Sequence, residues 1–265
     1  MKHHRTPGLY VESFGKGPEL VMLHGWAMHG GVWRAFAERL ADRFRVNLVD
    51  LPGHGRSGPL PYYAFDAVIA ALVRVAPPSA HWLGWSLGAL LATGVARTHP
   101  GRVRSLMLVA GTPRFTATAD WPGVSPELLA QMAANLEVDY AVTLKRFIAL
   151  QTYGHEQSRT LARQLQAQLD ASPRPTQDAL RGGLALLQST DLRSALAAMN
   201  QPALAVLGAH DRLAPKALAG ALRMLRPALE IRELATAAHL PFLTHAEALA
   251  EIILDFHGRH ATWPD

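Results

Sequence analysis

Short apolar runs alternate with helical patterns along most of the chain. The runs are continuous, as expected for strands that are buried on both faces of a sheet. Between them, apolar residues recur at helical spacing, for example in residues 32–40 and 66–75. This alternation predicts βαβ units and therefore an α/β fold, a mostly parallel, doubly wound sheet with helices on both faces. The predicted strands are residues 9–14 at the sheet edge, then 20–23, 46–50, 80–83, 103–109, 203–208 and 230–234, with further helices at 215–225 and 247–256.

The pattern changes between residues 112 and 191, where no strand pattern occurs. This block predicts a helical lid inserted into the α/β fold. The sequence therefore divides into two domains, a core and a lid. The core comprises residues 1–111 and 192–265, and the lid comprises residues 112–191, with helices predicted at 126–136, 140–153, 156–169 and 176–188.

Composition narrows the class of protein. Hydrophobic residues make up 49% and charged residues 18% of the 265-residue chain, as in folded globular proteins. No apolar run reaches the roughly 18 residues of a membrane span, and the polar start of the chain does not resemble a signal peptide. We therefore expect a soluble, cytoplasmic monomer with no membrane partner. The tail, residues 258–265, is expected to fray.

Residue types also exclude several chemistries. The chain has no cysteine, which excludes disulfides, thiol nucleophiles and cysteine-bound zinc. No two histidines are spaced four residues apart beside a third ligand, so no metal and no cofactor are expected. The formal net charge is +5, but the basic residues are scattered, which argues against a nucleic-acid partner. A diffuse positive charge is compatible with an acidic protein partner.

Residues 84–88, Gly-Trp-Ser-Leu-Gly, form the motif around which the candidate chemistry is arranged. They follow a predicted strand and precede small residues in a helical pattern. A G-x-S-x-G motif between strand and helix is typical of a nucleophile elbow, in which glycines permit a sharp turn that exposes the serine. Ser86 is therefore the candidate nucleophile. A chance Gly-Ser turn is the alternative, and catalytic partners have to decide between the two.

A serine hydroxyl needs a general base, and that base needs a third group to hold its tautomer. Asp211 directly follows the predicted strand at 203–208, and His239 follows the strand at 230–234. Taken singly, either residue could be a cap or a solvated loop residue. Functional loops of a parallel sheet follow the carboxyl ends of its strands, so three such residues at three strand ends favour a Ser86, Asp211, His239 triad.

The tetrahedral intermediate of this chemistry needs two N–H donors for its oxyanion. The residue after the nucleophile, Leu87, supplies one backbone N–H. The second is expected from Trp26, in the loop after the early strand at 20–23. His24 in that loop is interpreted as holding its shape, and Asp50 is interpreted in the same way for the glycine-rich loop that follows it.

These residues resemble the α/β-hydrolase superfamily and, more narrowly, the pimeloyl-acyl-carrier-protein methyl ester carboxylesterases of biotin synthesis. The resemblance covers almost the whole chain, and its most specific part is Arg-Phe-Ile-Ala-Leu-Gln-Thr in the lid. Ala89 after the elbow departs from the usual second glycine, and Val142 departs from a basic residue. The matching segments are residues 23–26, 49–57, 84–88, 146–152 and 237–242.

The resemblance implies hydrolysis of a methyl ester at the far end of a pimeloyl chain that is carried by an acyl carrier protein. It implies substrate contacts from the catalytic loops and from the lid, although spacing alone favours ordinary lid core as the explanation of Phe147 and Leu150. The implied substrate-binding residues are Trp26, Ser86, Leu87, Phe147, Ile148, Ala149, Leu150, Gln151 and His239. Those implied to dock the carrier are Arg146, Arg159 and Arg163, of which the last two are four residues apart and share a helix face.

Other functions remain open at this stage. A general short-chain carboxylesterase acting on small-molecule esters, or a carbon–carbon hydrolase, would use the same triad. A dehalogenase is disfavoured because its elbow nucleophile would be aspartate. A ligand-binding scaffold without catalysis is the alternative from another class, and a complete triad argues against it.

Overall fold

The computed structural model describes residues 8–153 and 155–260, and within them a seven-stranded sheet forms the centre of the molecule. The strand order is β1-β3-β2-β4-β5-β6-β7. Only the edge strand β1 is antiparallel to its neighbour, which confirms a mostly parallel sheet. The strands are β1 (Val11–Gly15), β2 (Glu19–Leu23), β3 (Arg45–Val49), β4 (Ala80–Trp85), β5 (Val103–Val109), β6 (Ala203–Gly208) and β7 (Glu230–Leu234).

Helices cover both faces of this sheet. Every residue of β4 and of β6 is buried, which explains why these strands are continuous apolar runs in the sequence. The helices outside the segment between β5 and β6 are α1 (Arg34–Ala37), α2 (Phe65–Val75), α3 (Leu87–Thr98), α9 (Leu218–Leu225), α10 (Pro241–Thr244) and α11 (Ala246–His260).

The helix expected at residues 32–40 is wrong as a single α-helix. A 3-10 helix, Gly30–Trp33, leads into the one turn of α1, and the chain after α1 returns to bonds between residues three apart, such as Leu40 N–H to Ala37 O at 3.0 Å. The apolar residues that suggested the helix are all buried. The pattern therefore predicted correctly which residues are buried, but it did not predict the type of helix.

Two expectations about the chain ends have different outcomes. Helix α11 continues to His260, so the fraying expected from residue 258 is wrong for residues 258–260. Residues 261–265 and the chain start at 1–7 lie outside the described residues, as does residue 154. Among the helices that are described, none is long and apolar enough to cross a membrane.

Five helices lie between β5 and β6. Polar caps begin three of the first four: Ser125, Asp139 and Thr176 each accept a hydrogen bond from a backbone N–H in the first turn, at 3.0 to 3.2 Å. The division into core and lid domains at residues 112 and 191 stays a prediction. The helices are α4 (Pro126–Val138), α5 (Tyr140–Thr152), α6 (Ser158–Asp170), α7 (Gln177–Ser189) and the short α8 (Arg193–Ala198), which the sequence pattern did not predict.

Candidate active site

Ser86 lies in a strained turn between β4 and α3. Its φ of 54° and ψ of −118° are outside the usual regions for a residue with a side chain, a conformation that costs about 1–3 kcal/mol and persists only where neighbours impose it. Gly84 and Gly88, on either side of Ser86, show which neighbours impose this conformation. A Cβ on Gly84 would lie 2.2 Å from the carbonyl oxygen of Gly88, and a Cβ on Gly88 would lie 2.3 Å from that of Leu23. The strand, the turn and the helix therefore meet too closely for any other residue.

Asp211 and His239 meet beside this turn, at the carboxyl edge of the sheet. Nδ1 of His239 donates to Oδ2 of Asp211 at 2.8 Å, and both side chains are almost fully buried. Oδ1 of Asp211 accepts from the N–H groups of Leu213 and Ala214, at 2.8 and 3.0 Å. Because the carboxylate can only accept, Nδ1 carries the proton, and in the neutral imidazole the lone pair is therefore on Nε2.

Nε2 of His239 is buried and has no hydrogen-bond partner among the described residues. A buried polar atom without a partner is costly, and a catalytic role is one explanation of such an atom. An unprotonated imidazole nitrogen whose other nitrogen is fixed by a carboxylate has the arrangement of a general base. The geometry therefore suits His239 to accept a proton at Nε2.

Trp85 connects the elbow to the loop that carries His239. Its indole Nε1 donates to the main-chain carbonyl of His239 at 2.8 Å, and the two rings lie 5.7 Å apart. Phe242, three residues after His239, packs edge-on against Trp85 with ring centroids 4.9 Å apart, and against Trp33 at 4.5 Å. The sequence analysis did not assign Trp85, because it occupies a variable position of the motif. Its only signal was a large aromatic residue with a polar N–H inside a buried strand.

The loop after β2 packs directly against the elbow. It makes a tight turn in which Met28 N–H donates to Gly25 O at 3.2 Å, with Ala27 at a φ of 63°. A Cβ on Gly25 would lie 3.3 Å from Cβ of Ser86, so this loop and the candidate nucleophile are in contact. Leu87 is the first residue of α3, a position whose N–H has no acceptor within the helix.

The side chain of Trp26 joins the same loop to the helices above the sheet. Its Nε1 donates to the carbonyl oxygen of Leu180 in α7 at 2.8 Å. Its ring meets that of Phe147 in α5 edge-on, with centroids 4.8 Å apart. Gly183 makes room for it, because a Cβ there would lie 2.7 Å from Cδ1 of Trp26. Sequence reasoning missed Gly183, whose pairing with Gly182 within a helix was the available signal.

Two buried histidines and one carboxylate shape the neighbouring loops. Nδ1 of His24 donates to Gly25 O at 2.8 Å and its Nε2 accepts from Leu51 N–H at 2.9 Å, so both nitrogens are used. Burial lowers the pKa of His24 well below its usual value, and the charge of nearby His54 adds to this effect. Asp50 accepts from the N–H groups of Gly30 and Arg56, at 2.6 and 2.8 Å. The interpretation of His24 and Asp50 as loop-shaping residues is confirmed.

Helix α5 brings some of the predicted lid residues together and separates others. Phe147, Ile148 and Gln151 are buried on the inner face, and Leu150 is half-buried. Ala149 lies on the exposed face, so the structure does not bring it to the other four. Both amide atoms of Gln151 are buried and have no hydrogen-bond partner in the described part of the chain.

The three arginines predicted to meet a carrier are all exposed, Arg146 on α5 and Arg159 and Arg163 on α6. None of them forms an ion pair or a side-chain hydrogen bond within residues 8–153 and 155–260. In the same residues, no group of three or more histidine and carboxylate side chains is placed to hold a metal ion.

Comparison with known proteins agrees with this fold and arrangement. The family model described as alpha/beta hydrolase fold matches residues 18–246. An esterase from Exiguobacterium antarcticum of known structure superposes with a TM-score of 0.84 at 21% identity, covering 94% of each chain, which shows the fold alone. The chain therefore belongs to the α/β-hydrolase family.

Sequence relatives identify the branch of that family. The pimeloyl-[acyl-carrier protein] methyl ester esterase of Methylococcus capsulatus is 45% identical over 249 residues, covering 94% of this chain and 98% of the relative. The protein of the same name from Klebsiella pneumoniae is 42% identical over 247 residues, covering 93% and 96%. The chain belongs to the family of the pimeloyl-[acyl-carrier protein] methyl ester esterases, so the predicted resemblance is confirmed.

Proposed function

We propose that this chain hydrolyses the methyl ester of pimeloyl-acyl carrier protein, giving methanol and pimeloyl-acyl carrier protein with its thioester intact, in biotin synthesis. The observation that carries this proposal is the 45% identity to an esterase of that name across 94% of the chain. That match is not confined to the elbow motif, which many esterases share, but extends through the helices between β5 and β6. Those helices supply the contacts by which substrates of one fold are distinguished.

Ser86, His239 and Asp211 carry the reaction in this proposal. Oγ of Ser86 attacks the ester carbonyl carbon while its proton passes to Nε2 of His239. The bond from that carbon to the methoxy oxygen then breaks, and His239 returns the proton to the leaving group as methanol forms. Water attacks the resulting acyl-enzyme with His239 again as base, which releases the carboxylate and restores Ser86. Asp211 holds His239 in the tautomer that carries its proton on Nδ1, and it stabilises the His239 imidazolium that forms in each step.

The backbone N–H groups of Trp26 and Leu87 hold the oxyanion of both tetrahedral intermediates. The contact of Gly25 with Ser86 supports this assignment, since it sets the Trp26 loop beside the reacting carbon. Such a donor contributes about 3 kcal/mol to the barrier reduction. Because the donors belong to a turn and a helix start, they are fixed before the substrate binds.

Phe147, Ile148, Leu150 and Gln151 line the path of the acyl chain in this proposal. The edge-on contact between Phe147 and Trp26 supports it, because that contact joins α5 to the oxyanion loop. Ala149 faces away from these residues, and we leave it out of the acyl-chain contacts. An apolar path of defined length would deliver the terminal ester, and not the thioester, to Ser86.

Arg146, Arg159 and Arg163 dock the acidic carrier protein in this proposal. Their exposure and their lack of an ion pair in the described residues support it, since each can pair with a carrier carboxylate without breaking an existing contact. Val142, one turn before Arg146 on the same helix, is also exposed and adds an apolar contact in place of a charge.

The test is turnover of pimeloyl-acyl carrier protein methyl ester, followed by mass spectrometry of the carrier. The wild type should release methanol and leave the pimeloyl thioester on the carrier, and Ser86→Ala should be inactive. A fluorophosphonate should label the wild type at Ser86 and not label the variant. Rapid cleavage of small esters without turnover of the carrier-bound ester would contradict the proposal and favour a general short-chain carboxylesterase.

A further inference from the structure

A small pocket opens on the surface of the helical segment, between the start of α5 and the end of α6. Its volume is about 60 Å³, well below the roughly 300–1,000 Å³ of pockets that hold drug-sized ligands. This volume suits a compact group and is too small for an acyl chain. The lining includes Tyr140, Leu144, Lys145, Leu169, Asp170 and Arg174.

The pocket is rich in unpaired donors. Lys145 and Arg174 are exposed, and neither has an ion pair or a side-chain hydrogen bond in the described residues. Asp170 lines the same pocket, but its Oδ1 accepts from Nε2 of Gln166 at 3.0 Å and no cation lies within ion-pair distance of it among the residues described. Two cations and the phenol of Tyr140 therefore remain to bind an anion.

Tyr140 and Arg174 are close enough to affect each other. Burial raises the pKa of the Tyr140 phenol above its usual value, the positive charge of Arg174 opposes this rise, and the charge of Asp170 adds to it. The phenol therefore stays protonated at neutral pH and can donate a hydrogen bond beside the guanidinium. A planar guanidinium, an ammonium and a phenol around one small space match the several oxygens of a phosphate group.

The position of the pocket relates it to the candidate active site. Tyr140 and Phe147 are on the same helix, seven residues or roughly 10 Å apart along its axis. Phe147 contacts Trp26 in the oxyanion loop, so α5 extends from the candidate catalytic loops to the pocket. A ligand with an ester at one end and an anionic group at the other could reach both places.

We propose that Tyr140, Lys145 and Arg174 bind the phosphate group that joins the acyl-bearing arm of the substrate to its carrier protein. This inference rests on the proposed function, because a carrier-bound substrate is attached through such a phosphate. The pocket binds the phosphate of the acyl-bearing arm, whereas Arg146, Arg159 and Arg163 contact the carrier protein itself. Recognition of the phosphate fixes how far the acyl chain enters and so which ester bond reaches Ser86.

The experiment compares two small substrates that carry no protein: the methyl-pimeloyl thioesters of phosphopantetheine and of pantetheine, which lacks the phosphate. The wild type should show a kcat/KM about tenfold higher for the phosphorylated compound, mainly through a lower KM, because hydrogen bonds to a charged group are strong. Lys145→Ala and Arg174→Ala should each lose most of this preference. Both variants should hydrolyse the methyl ester of the pantetheine compound at the wild-type rate and keep the wild-type Tm.

Arg74→Ala is the matched control. Arg74 is an exposed arginine in the last turn of α2, at the opposite edge of the sheet, and its removal changes net charge equally. This variant should keep the wild-type preference for the phosphorylated compound. A loss as large as that of Arg174→Ala would mean that general charge, and not the pocket, attracts the substrate.

Three results would overturn the phosphate site. The first is equal wild-type turnover of the two thioesters, and the second is a preference that survives in both pocket variants. The third is an increase of KM in Lys145→Ala and Arg174→Ala that occurs only with the carrier-bound ester. That result would mean that Lys145 and Arg174 pair with carboxylates of the carrier protein. The proposed function would also be overturned if the wild type hydrolysed small esters but not the methyl ester of either thioester compound or of the carrier-bound substrate. The failure of the phosphate site and the failure of the proposed function are therefore distinguishable.

Discussion

The indole nitrogen of Trp85 donates a hydrogen bond to the main-chain carbonyl of His239, at 2.8 Å. The residue before the candidate nucleophile thus holds the loop that carries the candidate base. Two parts of the site that are 153 residues apart in the chain, Ser86 and His239, are kept in register by this contact and by the packing of Phe242 on the same indole.

Trp85→Phe should lower kcat about tenfold with little change in KM. The substitution keeps an aromatic ring but leaves the carbonyl of His239 without its donor, which frees the loop and costs about 1–3 kcal/mol in the free energy of unfolding. Steady-state kinetics and thermal unfolding measure both effects. Trp82→Phe is the control, because its Nε1 donates to Arg102 O at 3.3 Å near the other end of the same strand. It should lose stability but keep kcat, and equal kcat losses in the two variants would refute the positioning role.

Asp211→Asn should lower kcat by about 10³ to 10⁴, as the equivalent change does in a serine protease. The remaining amide oxygen can still accept from Leu213 and Ala214, so the loop is preserved. The amide NH₂ then faces Nδ1 of His239 and forces the proton to Nε2, where it blocks the uptake of the Ser86 proton. Single-turnover kinetics with a fluorophosphonate should show slow labelling of a folded protein. A loss below tenfold is incompatible with this role.

Gln151→Leu should raise Tm and at the same time weaken substrate binding. The wild type pays about 1–3 kcal/mol for burying an amide whose atoms have no partner among the described residues, and leucine of similar size removes that penalty. If the amide binds a polar group of the substrate, KM for the carrier-bound ester should increase several-fold. A higher Tm with unchanged KM would leave Gln151 a purely structural residue, and a lower Tm would show that the amide is already satisfied.

Stability should fall as the pH drops from about 6.5 to 4, in part because of His81. Burial lowers the pKa of His81 to about 4, and the charges of His257 and Arg104 add to this effect. The unfolded chain therefore takes up a proton near pH 6.5 that the folded chain accepts only near pH 4. This difference costs a few kcal/mol across that window and nothing above it.

His81→Asn removes this titration while leaving a side chain that can bond to Oγ of Ser105, which lies 2.8 Å from Nδ1 of His81. Urea unfolding at pH 8 and pH 5 should give a smaller difference in the free energy of unfolding for the variant than for the wild type. An equal difference in the two proteins would locate the acid sensitivity elsewhere, for instance at His54, whose pKa burial also lowers to about 4.

Local signals predicted the sheet well, and they named Asp211 and His239, which the structure joins by a hydrogen bond. Strands β5, β6 and β7 have the predicted bounds, because parallel strands buried on both faces are continuous apolar runs between turn residues. The elbow was predictable from its motif. Gly84 is required by contacts with Gly88 and Ala89, whereas Gly88 is required by its contact with Leu23 at the end of β2. The order of Ser86, Asp211 and His239 followed from strand ends alone.

What the sequence could not supply depends on contacts between distant residues. Ala149 was included because the matching segment is contiguous in the chain, whereas an α-helix with about 3.6 residues per turn places it on the face opposite to Phe147 and Gln151. Trp85 could be assigned only once its hydrogen bond to His239 was known. Lys145 and Arg174 are 29 positions apart on different elements, and no spacing rule brings them to one pocket.

In the proposed function, the edge-on contact of Phe147 with Trp26 couples substrate selectivity to the reaction rate. A helix exchanged from a relative to change the preferred chain length would also alter the support of the loop beside Ser86. Engineering of new substrates should therefore vary Trp26 and Phe147 together, as one coupled pair. Libraries that randomise only α5 should therefore contain fewer active members than libraries that also vary Trp26.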